Sequence, residues 1–282
     1  MNYESENKAP VEGTDDKELF VAYWQGFTKN GPPPDNPPSL TDTPEFIDVI
    51  CLAFAAPGEN STIVTSFLTK ENSKESIISG TEVLQSRNQK VLMSINGSTT
   101  VPWGSLEPIP FAKSVKAVAK EWKLDGIDLD NETWGETPGK PFADVIKAIR
   151  DEMGNDFIIT YPAYQPFRDE FLTEVQSEIS WVMTMAYWNG FQDAVDLFDT
   201  YAKLIGTPAK VMMGVKPGKY GMSQSTPIAD LPKIIGYQPP SGVSKAGAMM
   251  YSLSIDYNFW TDKPRFAWAE MINTYLPDRN EK

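Results

Sequence analysis

Eight short apolar runs recur along the chain, and helical patterns separate them. The runs are Leu19–Gln25, Phe46–Ala56, Lys90–Asn96, Leu124–Glu132, Phe157–Tyr161, Ser180–Tyr187, Lys210–Val215 and Ala246–Ser254. They are rich in β-branched and aromatic residues and read as strands. Between them, Ser76–Asn88, Phe111–Trp122, Phe142–Met153, Asp169–Gln176, Phe191–Ile205, Ile228–Ile235 and Pro264–Tyr275 carry the helical period. Alternation of this kind implies parallel strands joined by right-handed helical crossovers. Eight units in 282 residues fit one α/β domain, a (β/α)8 TIM barrel of about 250 residues. An open doubly wound sheet is the competing arrangement. It usually carries a Gly-rich phosphate turn after the first strand, and Trp24-Gln25-Gly26-Phe27 offers none.

The barrel is expected over residues 19–282, with residues 1–18 a polar, flexible N-terminal segment. Prolines at 32, 33, 34, 37 and 38 make Lys29–Thr43 a long loop rather than a helix or central strand.

Composition removes whole classes of chemistry. There is no histidine, which excludes Ser-His-Asp and Cys-His catalysis and His-bound zinc. The single cysteine, Cys51, lies in the apolar run VICLAF and reads as buried packing. A formal charge of −13 argues against nucleic acid as a partner, since phosphate binding needs clustered Lys and Arg. A neutral glycan meets no such repulsion. No run is long and apolar enough to span a membrane, and the polar N-terminus has no signal-peptide pattern. The expected location is therefore cytoplasmic, or outside the cell by a route without a classical N-terminal signal.

Chemistry concentrates in Leu124–Trp134, LDGIDLDNETW. On a strand, alternate side chains share a face. Asp128, Asp130 and Glu132 then point one way, while Ile127 and Leu129 point into apolar packing. Asp125 has the opposite parity and is expected to shape the strand entry. Three carboxylates on one face repel each other, which raises the proton affinity of at least one. The plain alternative is an acidic loop. A calcium loop starting at Asp128 would need Gly at its sixth position and Glu at its twelfth, but those are Thr133 and Gly139.

The other strand ends carry compatible residues. Strand one ends in Tyr23, Trp24 and Gln25; strand three in Ser94 and Asn96, followed by a loop with Trp103. Strand five ends in Tyr161; strand six in Met185, Tyr187, Trp188 and Asn189; strand eight holds Tyr251, Ser254 and Asp256. In barrels of this type the C-terminal strand ends form the active site. Carboxylates among aromatic rings suit a carbohydrate, because sugars stack on aromatic faces and acids cleave the acetal bond.

Asp125 to Glu132, DGIDLDNE, matches the Asp-Gly-x-Asp-x-Asp-x-Glu signature of glycoside hydrolase family 18, the chitinases and endo-β-N-acetylglucosaminidases, and sits on the fourth strand as in that family. Ser94-Ile95-Asn96-Gly97 resembles the family's Ser-x-Gly-Gly, with Asn in place of one Gly. Met185-Ala186-Tyr187 resembles its Met-x-Tyr, although Trp188 follows where the family often has Asp. Tyr251 stands where a chitinase normally has a Trp under the reacting sugar. Met213 to Ala246 is too short for the small α+β insertion of some chitinases.

The resemblance implies a retaining, substrate-assisted glycosidase acting on β-1,4 bonds of N-acetylglucosamine glycans, chitin or chito-oligosaccharides, with no metal or other cofactor. It makes Glu132 the general acid and Asp130 the partner that orients the acetamide. Asp128 shares a proton with Asp130, and Tyr187 is the hydroxyl donor to the acetamide carbonyl. Tyr23, Trp24, Asn96, Trp103, Met185, Trp188, Asn189 and Tyr251 are expected to bind substrate, and Asp125 and Gly126 to be structural. Three other readings stay open. One is cleavage of the chitobiose core of N-glycans. Another is a glycan-binding lectin. The last is a subunit of a larger toxin-type assembly.

Overall fold

Alternate residues of the first strand, β1 (Leu19–Gln25), enter two different cores. Phe20, Ala22 and Trp24 pack outward into the large cluster that lies between strands and helices. Val21 and Tyr23 point inward with Val49, Cys51, Leu92, Met183, Met212 and Met249. This division is the signature of a closed barrel, whose interior is filled by side chains. The computed structural model describes residues 17–26, 38–97, 101–132, 139–188, 190–218, 225–257 and 264–277. The expected flexible segment up to residue 16 and most of the proline-rich loop lie outside these.

The chain continues through β2 (Val49–Gly58), β3 (Thr62–Val64), α1 (Lys74–Ser86), β4 (Lys90–Asn96), α2 (Pro108–Trp122), β5 (Gly126–Asp130), α3 (Gly139–Met153) and β6 (Ile158–Ala163). It closes with β7 (Trp181–Thr184), α4 (Phe191–Ile205), β8 (Val211–Val215), α5 (Leu231–Ile235), β9 (Gly247–Met250), α6 (Leu253–Tyr257) and α7 (Ala267–Tyr275). Eight strands pair in parallel, and β1 binds both β2 and β9, so the sheet closes on itself. This is the expected (β/α)8 barrel in a single domain. None of the helices among the described residues is long and apolar enough to cross a membrane.

Three local expectations need correction. The eight apolar runs leave out one strand: β3 folds back antiparallel on the extended end of β2. Asp169–Gln176 is not an α-helix: it holds one 3₁₀ turn, Glu170–Glu174, which follows another at Pro166–Arg168. The eighth strand stops at Met250, so Ser254 and Asp256 lie on α6.

The seam between β1 and β9 is fastened at both ends. At its N-terminal end Gly247 (φ +143°) faces Leu19, where a Cβ would run into the Leu19 carbonyl, so only glycine fits. Beside it the buried Glu18 carboxylate pairs with the Lys245 ammonium and accepts from Gln238 Nε2 at 2.7 Å. At the other end Gln25 donates from Nε2 to Tyr251 Oη at 2.6 Å and accepts from Ser252 Oγ at 2.7 Å. Its backbone N–H donates to Ser254 Oγ (3.1 Å), whose hydroxyl donates to the Gln25 carbonyl (2.8 Å).

Candidate active site

Register builds the site. Ser94 on β4 and Thr160 on β6 are the pairing partners of Asp128 on β5, and Asn96 is the partner of Asp130. In a parallel sheet, partners share a face and lie side by side. Each carboxylate is therefore delivered next to a polar side chain from a neighbouring strand.

Asp128 is fully buried. Its Oδ2 accepts from Tyr23 Oη (2.7 Å) and Ser94 Oγ (2.6 Å), and its Oδ1 from Thr160 Oγ1 (2.6 Å). Burial pushes its pKa up to about 6, while the three hydroxyl donors hold it from going higher. Asp130 lies one step nearer the mouth and is 3% exposed. Burial is the main force raising its proton affinity, and the neighbouring charges of Glu132 and then Asp128 add to it. Asn96 opposes this by donating from Nδ2 to Asp130 Oδ2 at 2.8 Å, and it also reaches Glu132 Oε1 at 3.4 Å. Glu132 is only half-buried, at the open end of the row. The three acids thus grade from dry to wet along one line, with proton affinity raised at the buried end.

Aromatic rings wall this line. The Tyr187 and Tyr251 rings stack with centroids 6.0 Å apart, and Tyr251 stacks on Phe54 at 6.2 Å. Tyr187 keeps its phenol neutral, chiefly through burial and then through the negative charge of Asp130. Met185 packs in the same inner cluster. Trp188 stays 49% exposed beside Tyr187. Asn189, expected to bind substrate, lies outside the described residues.

Asp125 faces away from this row. Its carboxylate accepts from Gln85 Nε2 (2.9 Å), Lys90 Nζ (3.0 Å) and the Val91 N–H (2.9 Å), tying α1 and β4 to the entry of β5. A Cβ on Gly126 would collide with the backbone of Ile158 on β6.

Several expected ligand contacts fall elsewhere. Trp24 has the parity of Phe20 and Ala22, packs outside the barrel and donates from Nε1 to the Pro38 carbonyl at 2.8 Å. Trp103 is fully buried against Phe111 and Phe142 in the helical layer, so it presents no surface to a sugar. Tyr23 gives its hydroxyl to Asp128 and is 2% exposed, so it acts on that carboxylate instead of on a ligand. Asp256 is buried, and its carboxylate is taken up by the backbone N–H groups of Trp268 and Ala269, from which it accepts.

The structure also brings in residues that the strand ends did not single out. Thr160 sits mid-strand in an apolar run, where a lone hydroxyl at inward parity was the available signal. Lys216, just past β8, places its ammonium over the rings of Tyr187 and Tyr251. Burial raises the thiol pKa of Cys51 well above its ordinary value, which keeps it neutral and unreactive. Among the described residues no group of three or more acidic or cysteine side chains has the geometry to hold a metal ion.

A closed parallel barrel with graded carboxylates and aromatic walls at its C-terminal mouth presents the groups that glycoside hydrolysis requires. Residues 20–217 match the family model of the endo-β-N-acetylglucosaminidase EndoS TIM-barrel domain. The chain belongs to that family, within glycoside hydrolase family 18. Similar solved structures include a family 18 chitinase from Pseudoalteromonas aurantia (21% identity, 92% of this chain and 100% of that one, TM-score 0.72). A chitinase from Bacteroides thetaiotaomicron has 14% identity, with 94% and 98% of the two chains covered and a TM-score of 0.74. An endo-β-N-acetylglucosaminidase from Cordyceps militaris has 17% identity, 93% and 92% coverage and a TM-score of 0.68. At these identities the likeness establishes the fold. No curated protein matches the chain.

Proposed function

We propose that the chain is an endo-β-N-acetylglucosaminidase that cuts the β-1,4 bond of the chitobiose core of N-glycans with retention. The observation that carries the reaction class is the graded row Asp128–Asp130–Glu132 with Tyr187 beside it. Glu132, at the wet end, protonates the glycosidic oxygen as the C1–O bond breaks. The 2-acetamido oxygen of the same sugar closes on C1 and gives an oxazolinium ion. Glu132 then takes a proton from the water that reopens the ring at C1, which restores the original configuration.

Asp130 accepts the acetamide N–H and balances the positive charge that develops on the ring nitrogen. Its raised proton affinity and its nearness to Asp128 suit a pair that titrates as one unit. The Tyr187 hydroxyl donates to the acetamide oxygen and holds it under C1.

Two features support the N-glycan core over chitin. The family match is to an endo-β-N-acetylglucosaminidase domain, and Tyr251 offers a smaller platform than the Trp of a chitinase. Chitin is the second reading, favoured by exposed Phe167 and Trp188, which suit stacking along a linear polymer. Product analysis of a high-mannose glycopeptide beside colloidal chitin separates the two. Glu132→Gln should lose hydrolysis by at least about 10²–10⁴-fold while keeping affinity for the glycan. Near-normal turnover in that variant would overturn the assignment. A wild-type chain that binds the glycan and releases no product would be a lectin.

A further inference from the structure

Lys216 is the first residue beyond β8, and its backbone is fixed on both sides. Its N–H donates to Thr226 Oγ1 at 2.9 Å, and its carbonyl accepts from the Thr226 N–H at 3.0 Å. The side chain is half-buried. Its ammonium lies 5.9 Å from the Tyr187 ring centre and 5.7 Å from that of Tyr251, and the two rings are 6.0 Å apart and 20° from parallel. These three separations form a nearly equilateral triangle. The charge is therefore about equally far from both ring centres and favours neither.

A cation over an aromatic face is drawn to the ring's negative quadrupole, more strongly where water is thin. Tyr187 is 7% exposed and Tyr251 half-buried, so little water reaches the pair. The contact does two things to Tyr187. It fixes the ring in its plane against Tyr251, and it draws electron density from the phenol, which makes the O–H a stronger donor. Without it, the field of Asp130, Glu132 and Asp128 acts on the same hydroxyl in the opposite sense.

We propose that Lys216 is a positioning residue: through its contact with the Tyr187 and Tyr251 rings it holds and polarises the Tyr187 hydroxyl that grips the substrate's acetamide oxygen. This rests on the role assigned to Tyr187 in the reaction above. The benefit appears when the acetamide oxygen attacks, so it belongs to kcat more than to KM.

The test combines Lys216→Met, Lys216→Arg and Tyr187→Phe, each checked for native circular dichroism and thermal unfolding. Substrates are a high-mannose glycopeptide and a chromogenic chitobioside. Lys216→Met should lower kcat roughly three- to tenfold with KM within about twofold, the range expected of a cation–π contact. Arginine, which also stacks on aromatic faces, should restore most of the loss. In the Tyr187→Phe background Lys216→Met should have no further effect, because both changes act through one hydroxyl.

Equal losses in both backgrounds, or an effect on KM alone, would overturn the proposal. A thiazoline analogue of the bicyclic intermediate supplies a second readout that needs no turnover. Its Kd should weaken by a similar factor in Lys216→Met and not further in the double variant. A wild-type chain that binds the thiazoline without hydrolysing either substrate sinks the hydrolase reading alone, and the Kd cycle still decides on Lys216. A wild-type chain that does neither sinks both.

Discussion

Asn96 and Asp130 face each other across the β4–β5 register, with the Asn96 amide donating to the Asp130 carboxylate at 2.8 Å. That bond favours the ionised acid against burial and against the charges of Glu132 and Asp128. Removing it in Asn96→Ala raises the proton affinity of Asp130 further. The acidic limb of the kcat/KM profile should move to higher pH, and kcat should fall roughly tenfold. An unmoved limb would show that the amide has no hold on the acid.

Tyr23 is one of the three hydroxyl donors on buried Asp128. Tyr23→Phe removes a donor and leaves the ring in place. A hydrogen bond to a charged group contributes about 1.5–3 kcal/mol, and that much unfolding free energy should be lost near neutral pH. The loss should shrink below about pH 5, where Asp128 is protonated in the fold. Urea unfolding at both pH values reads this directly.

Four buried carboxylates hold their protons more tightly in the fold than in the unfolded chain, each mainly through burial: Asp128 and Asp169 near 6, Asp256 near 7, and Asp130, raised as well. Between the ordinary carboxylate range and these values the folded chain binds more protons than the unfolded one. Unfolding free energy therefore falls as pH rises through that window and goes on falling through about pH 7, where Asp256 gives up its proton. The melting temperature should be higher at about pH 5 than at about pH 8, with exposed acids ionised at both. Asp256→Asn should reduce the difference. Equal melting temperatures for the wild type would contradict this.

Asp256 also has a structural task. The last helix, α7, starts after Phe266 in the left-handed region (φ +61°), and Phe266 supplies no side-chain cap. Asp256 takes that place from ten residues upstream, accepting from the N–H groups of Trp268 (3.0 Å) and Ala269 (2.9 Å). Asp256→Ala should cost about 1–2 kcal/mol, as loss of a helix cap does. Hydrogen exchange should show the gain in amide exchange concentrated in α7.

The barrel was legible because its eight apolar runs and their helical spacers are strong local signals. β1 and β4 fall at the expected residues, as does α4. The acidic row was legible for the same reason, since strand parity alone places Asp128, Asp130 and Glu132 on one face. Parity applied equally to Trp24, one residue out of phase with Tyr23, predicts its outward packing. Trp103 could not be placed that way, because it lies in a loop and its burial depends on Phe111 and Phe142 from two helices. Lys216 and Thr160 were hidden because their importance comes from neighbours on other strands, which local sequence does not show. Strand β3 is three residues long and is held by pairing with the far end of β2, too little for periodicity to register.

The fastening of β1 to β9 has a consequence for how the protein is made. Gln25 and Tyr251 are 226 residues apart in sequence, so the ribosome has released nearly the whole barrel before the pair can meet. Until then β1 and β8 are raw sheet edges with open backbone groups, the kind of surface that recruits other chains. A stalled or truncated product ending before Gly247 carries its carboxylate row with no Tyr251 wall and no closing strand. Such a fragment is an aggregation hazard for the cell, and chaperone capture of nascent chains should concentrate on lengths short of that last strand.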